Sequence, residues 1–168
     1  VLNYTQSGGS LTVNGRNSNT DNAKLEILNA GSSFNMSAGT INIIRGGGGN
    51  TYGDLYLRPE SSNVTGGEII FSQGASGAGV ESYILDANFA LNDLTINGTG
   101  GNDAEVQLLI SPLNLQGDLT LTNSNSILDA NSNFDIDVTI NGDFNNSGVY
   151  KHYSNTTTFD GDVQAITG

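Results

Sequence analysis

The side chains best placed to do chemistry in this chain are aspartates. Asp93, Asp118 and Asp143 recur at equal intervals, with two Asp-x-Asp pairs nearby, Asp135-Ile136-Asp137 and Asp160-Gly161-Asp162. On a strand, side chains two apart share a face, so each pair is expected to present two carboxylates together. Converging oxygen ligands suit Ca²⁺, which takes about six to eight of them. Asp135, Asp137, Asp160 and Asp162 are therefore the candidate calcium ligands, and no other cofactor is expected. The preferred reading is simpler: each Asp is a turn residue whose side chain bonds backbone close by.

Aromatic rings are the other candidates for binding. Tyr52, Tyr56, Tyr83, Tyr150 and Tyr153 are expected to be exposed, where a ring can stack on a sugar or support a protein contact. Tyr56 is flanked by Leu55 and Leu57, which form the inward pair and leave its ring outside. The expected ligand surface is Tyr52, Tyr56, Tyr150 and Tyr153. The single histidine, in Lys151-His152-Tyr153, reads as an exposed aromatic beside Tyr150 and Tyr153 rather than as a base.

The formal charge is −12, and it is uneven. Residues 1–88 set Arg16, Lys24, Arg45 and Arg58 against seven acids, and residues 89–168 set Lys151 against ten. Nucleic acid is excluded as a partner, because phosphate binding needs clustered Lys and Arg. Membrane insertion by a helix is excluded too, since no apolar run approaches the roughly 20 residues required. Without cysteine there is no disulfide and no thiolate chemistry.

The elements that must position these residues are short strands. Phe89-x-Leu91, Leu113-x-Leu115 and Phe134-x-Ile136 start three similar, successive segments, each with an Asp or Gly-Asp step and a second alternating strand. An earlier, looser set shares the pattern: Ser7-Gly8-Gly9-Ser10-Leu11-Thr12-Val13, Ser37-Ala38-Gly39-Thr40-Ile41-Asn42-Ile43 and Thr65-Gly66-Gly67-Glu68-Ile69-Ile70-Phe71. Looser repeats thus occupy 1–88 and tighter, acidic ones 89–168. No window of a dozen residues has helical periodicity free of Gly or clustered Asn. The period is too short for a four-stranded propeller blade, which needs about 40–45 residues.

The expected fold is all-β, a right-handed parallel β-helix of about seven coils forming one solenoid over 1–168. At about 4.8 Å per coil the rod is roughly 34 Å long. The structural alternative is an antiparallel β-sandwich, with Asn-Gly steps marking hairpins. Alternation points Leu94, Ile96, Leu119, Leu121, Val138 and Ile140 inward and Thr95, Thr120 and Thr139 outward. Leu94, Leu119 and Val138 are expected in one inward column. Asn-Gly at 14–15, 97–98 and 141–142 and Gly-Gly at 8–9 and 66–67 supply corners tolerant of positive φ, where Asn side chains can stack into ladders. The pattern opens and closes mid-repeat, so the segment reads as an excerpt of a longer protein whose partners are neighbouring coils, end to end.

The chain resembles the right-handed parallel β-helix repeats of very large secreted and cell-surface proteins of Bacteroidota, which usually carry a type IX secretion sorting domain. The residues behind this are the Ser/Ala-Gly-Ser/Thr-Leu/Ile steps at 7–13 and 37–43, Gly-Asp-Leu/Phe at 117–119 and 142–144, and the closing Phe159-Asp160-Gly161-Asp162-Val163-Gln164-Ala165-Ile166-Thr167-Gly168. The resemblance implies an extracellular location and a role as a stalk or adhesive surface contacting glycans or surface proteins. Gly46 to Gly49 with Asn50 is similar to a Gly-rich calcium-binding nonapeptide, but it occurs once and reads as a flexible loop.

Parallel β-helices also include polysaccharide lyases and polygalacturonase-like hydrolases. Of the hydrolase motifs, Asn19-Thr20-Asp21 is present, whereas adjacent Asp-Asp and Gly-His-Gly are not. Five cations are few for a lyase, which needs a base and a partner for a uronate. The chain is therefore not read as an enzyme; its expected role is a non-catalytic structural or adhesive module. The alternative is a carbohydrate-binding or carbohydrate-cleaving β-helix. Ice binding is a third reading, resting on Thr120-x-Thr122, the one Thr-x-Thr row in the core strands.

Overall fold

Apolar residues alternating with Thr, Asn and Ser, broken by Gly and Asn, extend into strands too short to bury a face alone. The computed structural model describes residues 1–14, 25–44, 54–72, 81–99 and 103–168. Gly15, Arg16, the Asn19-Thr20-Asp21 triplet, Lys24, Arg45, Gly46 to Asn50 and Tyr52 lie outside them. Among the described residues there are seventeen strands and no helix. The first half holds β1 (Asn3–Asn14), β2 (Leu25–Ile27), β3 (Ser33–Ile44), β4 (Leu55–Leu57), β5 (Ser61–Val64), β6 (Glu68–Ser72) and β7 (Glu81–Ala87). Then come β8 (Asp93–Asn97), β9 (Ala104–Leu108), β10 (Leu113–Leu115), β11 (Leu119–Leu121) and β12 (Ser126–Asp129). The last are β13 (Val138–Ile140), β14 (Phe144–Asn146), β15 (Val149–Lys151), β16 (Thr157–Phe159) and β17 (Ile166–Thr167).

Every strand pair among the described residues is parallel, which rules out the antiparallel sandwich. A long wall runs β1-β3-β6-β8-β11-β14-β17, a second wall runs β2-β4-β7-β9-β12-β15, and a third runs β10-β13-β16. In the earlier coils the place of the third wall is taken by β5 and the first halves of β1 and β3. The fold is thus a parallel β-helix, and the seven strands of the long wall mark seven coils.

The core is built as columns. Leu11, Ile41, Ile69, Leu94, Leu119, Phe144 and Ile166 are register partners along the long wall, and the coils between them shorten from the first pair to the last. The five inner members are buried, each worth about 1.5–3 kcal/mol of transfer free energy. One apolar cluster runs from Ile27 to Phe144, with Tyr4 stacked on Phe34 at 5.2 Å and Phe34 tilted against Phe89 at 5.4 Å.

The inward and outward assignments hold: Leu94, Ile96, Leu119, Leu121, Val138 and Ile140 are buried, and Thr95, Thr120 and Thr139 are half-buried on the outside. The expected column holds for Leu94 and Leu119, which are register partners, but not for Val138. Val138 pairs with Leu113 in the third wall, whereas the other long-wall partner of Leu119 is Phe144. The segment equivalent to Leu113-x-Leu115 is accordingly Val138-x-Ile140, not Phe134-x-Ile136, and Phe134 is exposed. A slip by an even number of positions preserves alternation, so period-two patterning alone did not reject it.

Candidate functional site

Where the walls meet, the strand ladders stop and backbone groups need other partners. Aspartates supply the acceptors. Asp93 Oδ1 accepts the N–H of Asp118 at 2.9 Å, Asp118 Oδ1 accepts that of Asp143 at 2.7 Å, and Asp143 Oδ1 accepts that of Ala165 at 2.8 Å. The other corners repeat the device. Asp54 takes the N–H of Ile84, Asp86 that of Ser111, Asp135 that of Ser154 and Asp137 that of Thr156. All seven acceptors reach backbone one coil further on, not their own neighbours as the turn reading expected.

Carboxamides do the converse job. Asn92, Asn123, Asn131, Asn155 and Gln164 donate to the carbonyls of Gly67, Gly98, Leu108, Ile136 and Ile140, each one coil back. Gln6 is buried at its corner and donates to Gly8, Gly9 and Thr40 carbonyls, with its own oxygen taken by the Tyr4 hydroxyl. These donors sit at different corners and do not form the Asn ladders expected at the Asn-Gly steps; Asn123, Asn131 and Asn146 also accept the N–H two residues on, in local turns.

The outward face of the long wall is similarly bonded from coil to coil. Ser33, Ser72, Thr122 and Thr167 hydroxyls donate to Asn3, Asn42, Asn97 and Asn145, and Thr95 donates to Glu68. Thr5, Asn35 and Asn63, aligned in register, line a shallow groove of about 300 Å³ with Gln6, Met36 and Ser37.

Two cation-centred clusters lie on or beside the second wall. Arg58 Nε donates to the fully buried Asp86 at 2.6 Å, and Arg58 Nη2 donates to Ser111 Oγ at 2.8 Å, so one guanidinium braces three coils. The bond to Asp86 raises the Arg58 pKa above its ordinary value. The guanidinium also sits 5.9 Å from the centroid of the Tyr56 ring. Near the other end, Lys151 Nζ contacts Glu105 Oε1 at 2.5 Å and lies 3.7 Å from Asp129 Oδ2. Burial acts to lower the Lys151 pKa, but the hydrogen bond to Glu105 and the charges of Glu105 and Asp129 outweigh it, and the net direction is up.

The expected calcium ligands are not strand-face pairs. Asp135 and Asp137 flank the buried Ile136 in the loop before β13, and Asp160 and Asp162 lie between β16 and β17. Among the described residues no three His, Cys, Asp or Glu side chains come close enough to share a metal ion. The expected ligand surface divides. Tyr56 is half-buried on the outer side of the fully buried Leu55 and Leu57, as read from alternation. Tyr83 is instead completely buried: it shares the inward phase with Leu85, packs edge-on to Phe71 at 5.3 Å and donates its hydroxyl to the Ser72 carbonyl. Tyr150 is half-buried against the core, bonded to Thr157, and 6.2 Å from the exposed ring of His152. Tyr153 is exposed and donates to Asp129. Tyr52 lies outside the described residues.

Sequence reasoning missed Asp54, Asp86, Arg58, Gln6 and Gln164. A lone Gln or an irregularly spaced Asp carries no period, so only the Asp93, Asp118 and Asp143 spacing signalled this bonding scheme. Compared with models of protein families, with curated proteins and with solved structures, the chain gives no match.

Proposed function

We propose that the chain is a non-catalytic structural module of a large extracellular bacterial protein, serving as a rigid stalk or an adhesive surface. The observation behind this is the commitment of polar side chains to neighbouring coils: seven aspartates accept backbone N–H groups one coil on, and five carboxamides return the bond one coil back. General acid–base chemistry on a sugar needs two carboxylates free to face one bond, one of them with a raised pKa. Carboxylates spent on stacking give stiffness instead. Among the described residues β15, β16 and β17 each have one unpaired edge, beside exposed Val149, Phe159 and Ile166, and such an edge can accept a parallel strand from another coil or another copy.

The test is an array of glycans and a panel of polysaccharides. The expected result is neither saturable binding nor depolymerisation. Cleavage of any polymer overturns the non-catalytic reading, and saturable binding of one glycan class, lost in Tyr56→Ala or Asn35→Ala, moves the protein to the carbohydrate-binding alternative. Surface location is checked by protease accessibility of the protein on intact cells of its source, where full protection counts against export.

A further inference from the structure

The Lys151 cluster has more in it than an ion pair. Asp129 and Lys151 are direct register partners on β12 and β15, and Glu105 comes from β9 one coil earlier. The Asp129 side chain is 6% exposed, with Lys151 at 34% and Glu105 at 21%. Its two oxygens are held differently. Oδ1 accepts the backbone N–H of Asn131 at 2.7 Å, while Oδ2 accepts the Tyr153 hydroxyl at 3.2 Å and faces Lys151 Nζ at 3.7 Å. A nucleophile, a proton acceptor, a nearly buried carboxyl carbon, a donor for a developing oxyanion and a donor for a leaving oxygen are therefore neighbours at the rim of the second wall.

We propose that Lys151 and Asp129 join in an intramolecular isopeptide bond. One proton passes from the Lys151 ammonium to Asp129 Oδ2, leaving an amine beside a neutral carboxyl, and as Nζ adds to Asp129 Cγ its second proton goes to Glu105. Negative charge gathers on Oδ1, where the Asn131 N–H is already directed. The Nζ–Cγ bond forms, the Cγ–Oδ2 bond breaks, and Oδ2 leaves as water. Both protons shed by Nζ end on that water, the second relayed by Glu105 and Tyr153. An ammonium and a carboxylate thus become one amide and one water, with no oxidant or reductant. The product ties two adjacent coils covalently in a chain that has no cysteine. This inference does not rest on the proposed function, because a self-made cross-link would equally brace a ligand-binding solenoid.

Intact mass spectrometry of the purified full chain decides it. The expected mass is below the sequence mass by one water, with a branched peptide joining Asp129 to Lys151 after proteolysis. Lys151→Arg and Glu105→Gln are expected at full mass while keeping a cooperative melting transition. A wild-type protein at full mass after long incubation at neutral pH overturns the proposal and leaves a salt bridge. So does a water loss mapping to Asp160-Gly161 as a cyclic imide, and so does a cross-link formed equally well in Glu105→Gln.

Discussion

The first three coils and the last three close the same corner, between the third wall and the long wall, by different means. In β1 and β3 one long strand runs through the corner, its register shifting at Gln6/Ser7 and Ser7/Ser10. Gly9, Gly39 and Gly67 turn there with φ of 69°, 90° and 95°, a region open to glycine and costly to most side chains. In the last coils the strand breaks instead, at 116–118, 141–143 and 160–165, and a Gly-Asp step fills the first two gaps. Gly98 and Gly142 are not in the positive-φ region that Asn-Gly corners suggested. Here glycine is needed for space alone: a Cβ on Gly117 lands on Asp93 Oδ1 and one on Gly142 on Asp118 Oδ1, whereas Gly39 and Gly67 are crowded as well as turned and Gly9 is only turned. The register position ahead of the inward column changes accordingly, from Ser10, Thr40 and Glu68 to Asp93, Asp118 and Asp143. One geometry therefore has two chemical solutions, backbone turning early and charged acceptors late, and the second accounts for much of the charge asymmetry.

The largest effect tests what the two regions share, the inward column. Leu119→Asp places an unpaired charge where exposure is nil, and a loss of about 3–5 kcal/mol is expected, enough to abolish cooperative melting. Thr120→Asp on the outer face should stay within about 0.5 kcal/mol. Wild-type melting in Leu119→Asp would break the column.

A glycine pair separates the two corners directly. Asn tolerates positive φ but has a Cβ. Gly9→Asn, with nothing within 4 Å of its Cβ, should cost at most about 1 kcal/mol. Gly117→Asn must displace the Asp93 carboxylate and should cost about 2–3 kcal/mol by denaturant titration. The reverse order would show that the reasons for glycine have been exchanged.

Smaller effects sharpen the acceptor role. Asp118→Ala leaves the Asp143 N–H without its side-chain acceptor and should lose about 1–2 kcal/mol, while Asp118→Asn, which keeps an oxygen there, should lose less than half of that. Asp160→Ala, at an exposed loop position, is expected to change little. Equal losses in all three would mean that net charge, not the N–H bond, is what the late coils feel. The smallest effect belongs to calcium. Millimolar Ca²⁺ should give no saturable rise in melting temperature, and a rise that Asp137→Asn removes would restore the metal reading.

Legibility in the sequence followed the same division. The equal spacing of Asp93, Asp118 and Asp143 matches the coil length there, so the late corner was visible before its bonds were. Tyr83 was equally readable in principle, since it alternates in phase with Leu85, yet a tyrosine's polar tip drew attention outward. Gln6 left no trace, because its burial depends on three carbonyls converging on one amide.

Amino-acid order by itself determined which side chains face in and which face out, because alternation is local and a strand has only two faces. It also determined that turns would be frequent, through Gly and Asn placement. Which coil lies beneath which was decided only by the tertiary structure. The partner of each corner side chain lies one coil away, and the coils are not of one length but shorten along the long wall. A shift by any even number of positions leaves every face unchanged while reassigning every inter-coil bond. Only packing of the apolar columns against one another selects the register that brings Asp118 under the N–H of Asp143 and Asp129 beside Lys151.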